Sequence, residues 1–184
     1  MRILVGYASR RGATKGIAER IAVTLDAMGL DVLFKPMYEI PRAEDFDAFV
    51  LGSSAYMGHW EPDAATFIRE QAAILAERPV WLFSSGPIGT DAVDKQGRDV
   101  LEASRPNEFA EFESLIHPRE LKVFFGAYDP HSPEASFIER LVVKMPAIGD
   151  AMPAGDFRDW PAIEAWAKRI GAELLAAPVT AAGA

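Results

Sequence analysis

The six residues Ser9-Arg10-Arg11-Gly12-Ala13-Thr14 constrain this chain more than any other stretch. Ile3, Leu4, Val5, Gly6 and Tyr7 lead into them, an apolar run without alternation, as expected of a parallel strand buried on both faces. Residues 15–28 follow, and in them Ile17, Ala18, Ile21, Ala22 and Leu25 recur at helical spacing. The six residues therefore form a strand–loop–helix junction, rich in hydroxyls and containing a glycine. Such a junction turns free backbone N–H groups and the positive end of a helix dipole toward one point, where a phosphate binds. Ser9 and Thr14 have hydroxyls to donate to phosphate oxygens, and Gly12 lets the backbone approach without a Cβ. Arg10 and Arg11 either add charge-assisted hydrogen bonds to a dianion or point to solvent. The plain alternative for the whole motif is a helix N-terminus with Thr14 as its cap.

Neither of the two best-known nucleotide loops matches. A P-loop needs Gly-Lys-Ser/Thr at the helix start, and a dinucleotide fingerprint needs three spaced glycines. The order here, Gly12-Ala13-Thr14-Lys15, has neither. It resembles the flavodoxin phosphate loop, a Ser/Thr-x-x-Gly-x-Thr pattern directly after the first strand, which grips the phosphate of FMN.

Further along, apolar runs alternate with helical patterns. Strands are expected over 31–36, 48–52, 80–83 and 122–127, with helices over 63–75, 97–116, 137–145 and 160–175, and Gly29 sits where a helix-ending C′ glycine belongs. Strands separated by helices make right-handed parallel crossovers, hence an α/β, doubly wound, five-stranded parallel sheet. A phosphate loop after the first strand suits the flavodoxin-like order 2-1-3-4-5, whose ligands sit beyond the carboxyl ends of the strands at the switch point. The loops after strands three and four should then be binding loops. Ser53, Ser54, Ala55, Tyr56, Met57, Gly58, His59 and Trp60 follow the third strand, and Ser84, Ser85, Gly86, Pro87, Ile88 and Gly89 follow the fourth. Both are rich in small and hydroxyl residues, and the first supplies two aromatics. An isoalloxazine needs apolar or aromatic faces and backbone hydrogen-bonding groups around one edge. Three such loops converging on one point indicate FMN. Tyr128 and His131, after strand five, fall on the same rim. His59 is either a proton donor there or a structural residue closing the loop; His117, Trp81 and Trp166 read as structural.

With these loops in place, nearly the whole chain is similar to the flavodoxin-domain family, and within it to the branch containing the menaquinone-dependent protoporphyrinogen dehydrogenases. Gly58-His59-Trp60 matches that branch's Gly-His-aromatic sequence, and Gly126-Ala127 its Gly-Ala pair ending strand five. The helix over 137–145 ends in Lys144-Met145, and Asp156-Phe157-Arg158-Asp159-Trp160 opens the last helix, as that branch does. The resemblance implies an FMN-dependent oxidoreductase of quinone-linked dehydrogenase type, with protoporphyrinogen oxidation as the named activity. One departure concerns the substrate. That branch carries a long basic insertion after strand four, whereas residues 91–118 hold Asp91, Asp94, Asp99, Glu102, Glu108, Glu111 and Glu113 against fewer basic residues. An acidic stretch is repelled by an anionic membrane surface.

Composition narrows the choice. At 184 residues the chain reads as one domain over 1–176 with a flexible tail at 177–184. It has no cysteine, so redox chemistry must come from a bound cofactor. A net charge of -8 argues against nucleic acid. No membrane span and no signal peptide are read, so a cytoplasmic location is expected. No metal cluster and no nucleophile–base pair stand out. The expected partner is a quinone-like small molecule or a redox protein. Two alternatives stay open: an acidic flavodoxin-type electron carrier docking a basic partner, and a flavin-free interaction module.

Overall fold

The computed structural model describes residues 1–40, 42–129 and 154–176. Strands β1 (Arg2–Ala8), β2 (Asp31–Pro36), β3 (Ala48–Tyr56), β5 (Val80–Ser85) and β6 (Glu120–Phe124) lie in the order β2-β1-β3-β5-β6. All four pairings are parallel. A two-residue strand β4 (His59–Trp60) folds back antiparallel on β3. Without β4 this is the 2-1-3-4-5 order expected. Helices α1 (Ala13–Asp26), α2 (Pro62–Glu70), α3 (Ala72–Leu75), α4 (Val100–Ala103), α5 (Glu108–Ile116) and α6 (Trp160–Ala176) connect and cover the sheet, and a small ribbon pairs β7 (Ala127–Tyr128) with β8 (Gly155–Asp156).

The strands read as continuous apolar runs because both faces are buried. On one face Leu4, Phe49, Leu51 and Leu82 pack with Phe67 and Ile68 of α2 and Phe109 and Phe112 of α5. On the other, Ile3, Val5, Val50, Trp81 and Phe83 pack with Ile17 and Ile21 of α1 and Ile163 and Trp166 of α6. Gly52 is a glycine because a Cβ there would fall inside the Phe83 ring. Gly29, at φ 85°, closes α1: its N–H donates to the Asp26 carbonyl at 2.8 Å, and the Leu30 N–H donates to Leu25 at 3.4 Å. That pair of bonds is a Schellman closure.

The acidic stretch expected as one helix over 97–116 is two short helices. Asp94 accepts the N–H groups of Gln96 and Arg98 at 2.8 and 2.9 Å, holding a turn before α4, and Asp99 caps α4 by accepting from the Glu102 N–H at 2.9 Å. Local side-chain acceptors here outcompete continuous helix. The fifth strand stops at Phe124, two residues ahead of Gly126, and Ala127 pairs instead with Asp156. The helix expected over 137–145, His131 and the tail 177–184 lie outside the described residues.

Register fixes where the site forms. Ala8 pairs with Ser53, Ser53 with Ser84, and Ser85 with Phe124. The carboxyl ends of β1, β3, β5 and β6 are therefore level, and their loops open at one edge of the sheet.

Candidate functional site

The loop after β1 ends at Gly12, the N-cap of α1, in the left-handed conformation (φ 81°). Its N–H donates to Ser9 Oγ at 3.0 Å, which folds the loop back on itself. No side chain caps α1, and its first turn carries no acidic residue. Among the described residues, no side-chain carboxylate or hydroxyl accepts from the first-turn N–H groups, the condition that favours an anion. Thr14 is not the cap. It lies inside the helix, fully buried, with Oγ1 2.7 Å from Ser85 Oγ. That bond joins the first turn of α1 to the end of β5.

A cavity of about 230 Å³ lies between these loops. Of the expected residues, Ser9, Arg10, Arg11, Ala13, Thr14, Ser54, Ala55, Tyr56, Met57, Ser85, Gly86 and Ile88 line it, as does Tyr128, expected at its rim, and Glu61, Gly126 and Ala127 join them. Gly12 lines an adjoining cleft of about 260 Å³, which meets the first at Ser9, Arg10 and Glu61.

Besides Gly12, six expected residues lie off the cavity wall. Ser53 and Ser84 are register partners, as are Ser54 and Ser85, and successive strand residues face opposite ways. Only the second pair reaches the cavity. The buried Ser53 Oγ instead accepts the Glu61 N–H at 3.0 Å, and Ser84 donates to the Ser53 carbonyl at 3.4 Å. Pro87 contributes its carbonyl, which accepts the Gly126 N–H at 2.9 Å. Gly89 turns its loop at φ 120°.

Gly58 and Trp60 belong to the β3–β4 hairpin. Met57 (φ 51°) and Gly58 (φ 80°) form a two-residue turn with both φ values positive, as in a type I′ hairpin. Tyr56 then pairs with His59 and Ala55 with Trp60. This corrects the placement of Trp60 at the site. Only 3% exposed, it packs edgewise against Phe109 (5.5 Å between centroids) and tilted against Phe112 (5.4 Å). His59 resolves to its structural alternative. Nδ1 is 2.8 Å from Glu108 Oε1 and Nε2 is 3.3 Å from Asn107 Nδ2. Glu108 also accepts the Trp60 N–H at 3.1 Å, so the carboxylate pins the hairpin to α5. Burial opposes ionisation of Glu108, but the hydrogen bonds from His59 and from the Glu108 and Trp60 N–H groups outweigh it, and its carboxyl sits below the ordinary value.

Both arginines lie on aromatic rings of the cavity wall. Arg10 Cζ is 4.7 Å from the Tyr56 centroid, and Arg11 Cζ is 5.1 Å from that of Tyr128. Arg10 also donates to Glu61 at 3.1 Å, and the other Glu61 oxygen accepts the Ser54 hydroxyl at 3.0 Å. Glu61 lines the cavity, and the loop motifs do not point to it. Its one local signal is Pro62, which marks position 61 as the start of a helix. The result is a cavity with apolar walls, a rim of stacked Arg–Tyr couples, and hydroxyl and N–H donors at one end. Among the described residues, no group of three His, Cys, Asp or Glu side chains is placed to hold a metal.

The sequence match agrees with this geometry. The flavodoxin-domain family model matches residues 4–151. Over 175 residues the chain is 26% identical to protoporphyrinogen IX dehydrogenase (quinone) of Escherichia coli K12, spanning 92% of this chain and 94% of that protein. Among solved structures, oxidised flavodoxin 2 from Bacillus cereus is similar at a TM-score of 0.58 and 25% identity, over 95% of this chain and 99% of that one. A flavodoxin mutant from Pseudomonas aeruginosa has the same TM-score and the same coverage of both chains at 17% identity, a likeness of fold alone.

Proposed function

This chain belongs to the flavodoxin-domain family, matched over residues 4–151, and from that premise we propose that it is an FMN-binding oxidoreductase that passes electrons to a quinone-like acceptor. One observation carries the reading: the uncapped, acid-free N-terminus of α1 opens into a cavity walled by the loops after β1, β3, β5 and β6. The hydroxyl of Ser9 and the N–H groups of the first turn of α1 would hold the phosphate. Tyr56, Met57, Ile88 and Ala127 would flank the ring and exclude water, while the polar groups of Ser54, Ser85 and Gly86 would orient its edge. FMN is chosen over FAD because the sequence carries no dinucleotide-binding glycine fingerprint for an adenylate-bearing cofactor. Bound flavin would supply one- and two-electron transfer, and the chain, with no cysteine, has no thiol–disulfide chemistry of its own.

Protoporphyrinogen oxidation is the favoured activity, on the 26% identity to the Escherichia coli enzyme. The acidic segment 91–118, with Lys95, Arg98 and Arg105 as its only lysine and arginines, supplies less complementary charge for a substrate bearing carboxylates. The second reading, an electron carrier docking a basic redox protein, is favoured by the net charge of -8.

The test is direct. Purified protein, or apo-protein reconstituted with FMN, should show a flavin absorption spectrum, and the extracted cofactor should be FMN. FAD sinks the choice of FMN, and no flavin binding at all sinks the proposal and leaves the flavin-free interaction module. Turnover with protoporphyrinogen and a quinone then supports the enzyme, and reduction of a partner protein alone supports the carrier.

A further inference from the structure

Arg158 lies between β8 and α6, outside every loop discussed so far, and its guanidinium is held on three sides. Nε donates to Asp156 Oδ1 at 2.7 Å and Nη2 to Asp156 Oδ2 at 2.6 Å, a bidentate grip. Its face lies on Trp160, with Cζ 4.4 Å from the ring centroid. So fixed, Nη1 donates to the carbonyl of Ala13, the first residue of α1, at 3.2 Å. The side chain is 17% exposed.

The other side of this contact is Gly16. Glycine is a poor helix former, and this one stands inside α1. A Cβ on it would lie 2.5 Å from Arg158 Nη1 and 3.7 Å from Trp160 Cη2. A long side chain usually swings away from such a clash. This guanidinium is anchored at Asp156 and cannot move without breaking that grip.

We propose that Arg158 is a positioning residue for the phosphate loop and that Gly16 is the seat that admits it; the inference rests on the FMN reading above. The chain of contacts runs from Ala13 through Arg158 to Asp156 in β8, and β8 pairs with β7, whose Ala127 and Tyr128 line the cavity. The first turn of α1 is thereby set at a fixed place relative to the cavity wall. Asp156 neutralises the guanidinium, so Arg158 acts through geometry rather than net charge. A phosphate depends on where the first-turn N–H groups point; a ring held by the other loops does not.

The experiment titrates apo-protein with FMN and with riboflavin, for the wild type, Arg158→Ala, Arg158→Lys, Gly16→Ala and the Arg158→Ala/Gly16→Ala double variant, and records the thermal midpoint of each apo-protein. Arg158→Ala should weaken FMN binding about tenfold and riboflavin binding by less than about twofold. Arg158→Lys, which keeps the charge but loses the fork, should behave like the alanine variant. Gly16→Ala should cost the same FMN affinity by itself and nothing more in the Arg158→Ala background, where it should raise the thermal midpoint as an ordinary glycine-to-alanine change in a helix does. Equal losses for both flavins, no loss, rescue by lysine, or independent addition of the two changes would each overturn the inference. If Arg158→Ala does not fold, Gly16→Ala and Arg158→Lys decide the matter alone. A wild type that binds no flavin overturns the functional reading and this inference together. A wild type that binds FMN, with Arg158→Ala keeping its FMN-to-riboflavin ratio, overturns this inference only.

Discussion

Thr14 shows how one side chain can serve both packing and binding. Its hydroxyl is buried against Ser85 at 2.7 Å, yet Thr14 also borders the cavity. Thr14→Val keeps the shape and removes the hydroxyl. If its hydroxyl, besides meeting Ser85, donates to the phosphate as the loop motif leads one to expect, the change should weaken FMN binding by roughly 10- to 100-fold, the equivalent of one hydrogen bond to a charged oxygen. Riboflavin, lacking the phosphate, should be nearly indifferent. The apo-protein should lose about 1 kcal/mol, because Ser85 is left unpaired in the interior. Fluorescence titration with both flavins and urea denaturation of the apo-protein check the two halves, and equal losses for the two flavins would remove Thr14 from the phosphate site. Trp60 stands at the opposite extreme. Buried against Phe109 and Phe112, it should cost about 3–5 kcal/mol when replaced by alanine, as a large core aromatic does. The folded fraction should still bind FMN. A loss under about 1 kcal/mol in urea denaturation would return Trp60 to the rim.

At the scale of elements, the β3–β4 hairpin carries Tyr56 and Met57 to the cavity, and α5 holds the hairpin through Glu108. The sign of its pH dependence follows from the lowered carboxyl. The unfolded chain titrates Glu at about 4.3, and the folded protein at a lower value. The stability that ionised Glu108 contributes is therefore fully present above about pH 4.3 and is lost as pH falls through the folded value. Glu108→Gln keeps the shape without the charge. Its deficit against wild type should be constant at neutral pH and should shrink below about pH 4.3 in urea denaturation. A deficit that grew toward acid would contradict the assignment. The same hairpin explains why its loop was only partly legible from sequence. Hydroxyl and aromatic content marks 53–60 as a binding loop, but the type I′ turn at Met57–Gly58 decides which of its residues face in.

For the whole molecule, charge separates the two functional readings. A chain of net charge -8 that reduces a basic partner protein should do so at a rate that falls steeply between low salt and about 0.15 M, as screening shortens the range of steering. Reduction of a neutral quinone should change little over the same range. Stopped-flow rates against ionic strength for the two acceptors give the comparison. A flat profile with every protein partner would speak against the carrier.

Sequence by itself determined the layers and the order of this fold. Strands buried on both faces, such as Ile3 to Val5 and Val80 to Phe83, read as unbroken apolar runs, and α1 and α6 read as 3.6-residue periods, because those patterns are local consequences of burial. The loop at 9–14 was legible for the same reason: a strand end, a glycine and a helix start are contiguous in the chain. What only the tertiary structure decided depends on residues far apart in sequence. Cross-strand register chose Ser54 and Ser85 for the cavity over Ser53 and Ser84. Packing against α5 drew Trp60 into the core. Arg10 found Tyr56 and Glu61, and Arg158 found Ala13 and Gly16. Period and propensity act over a few neighbouring residues, whereas a side chain's partners are set by where the sheet brings distant loops together.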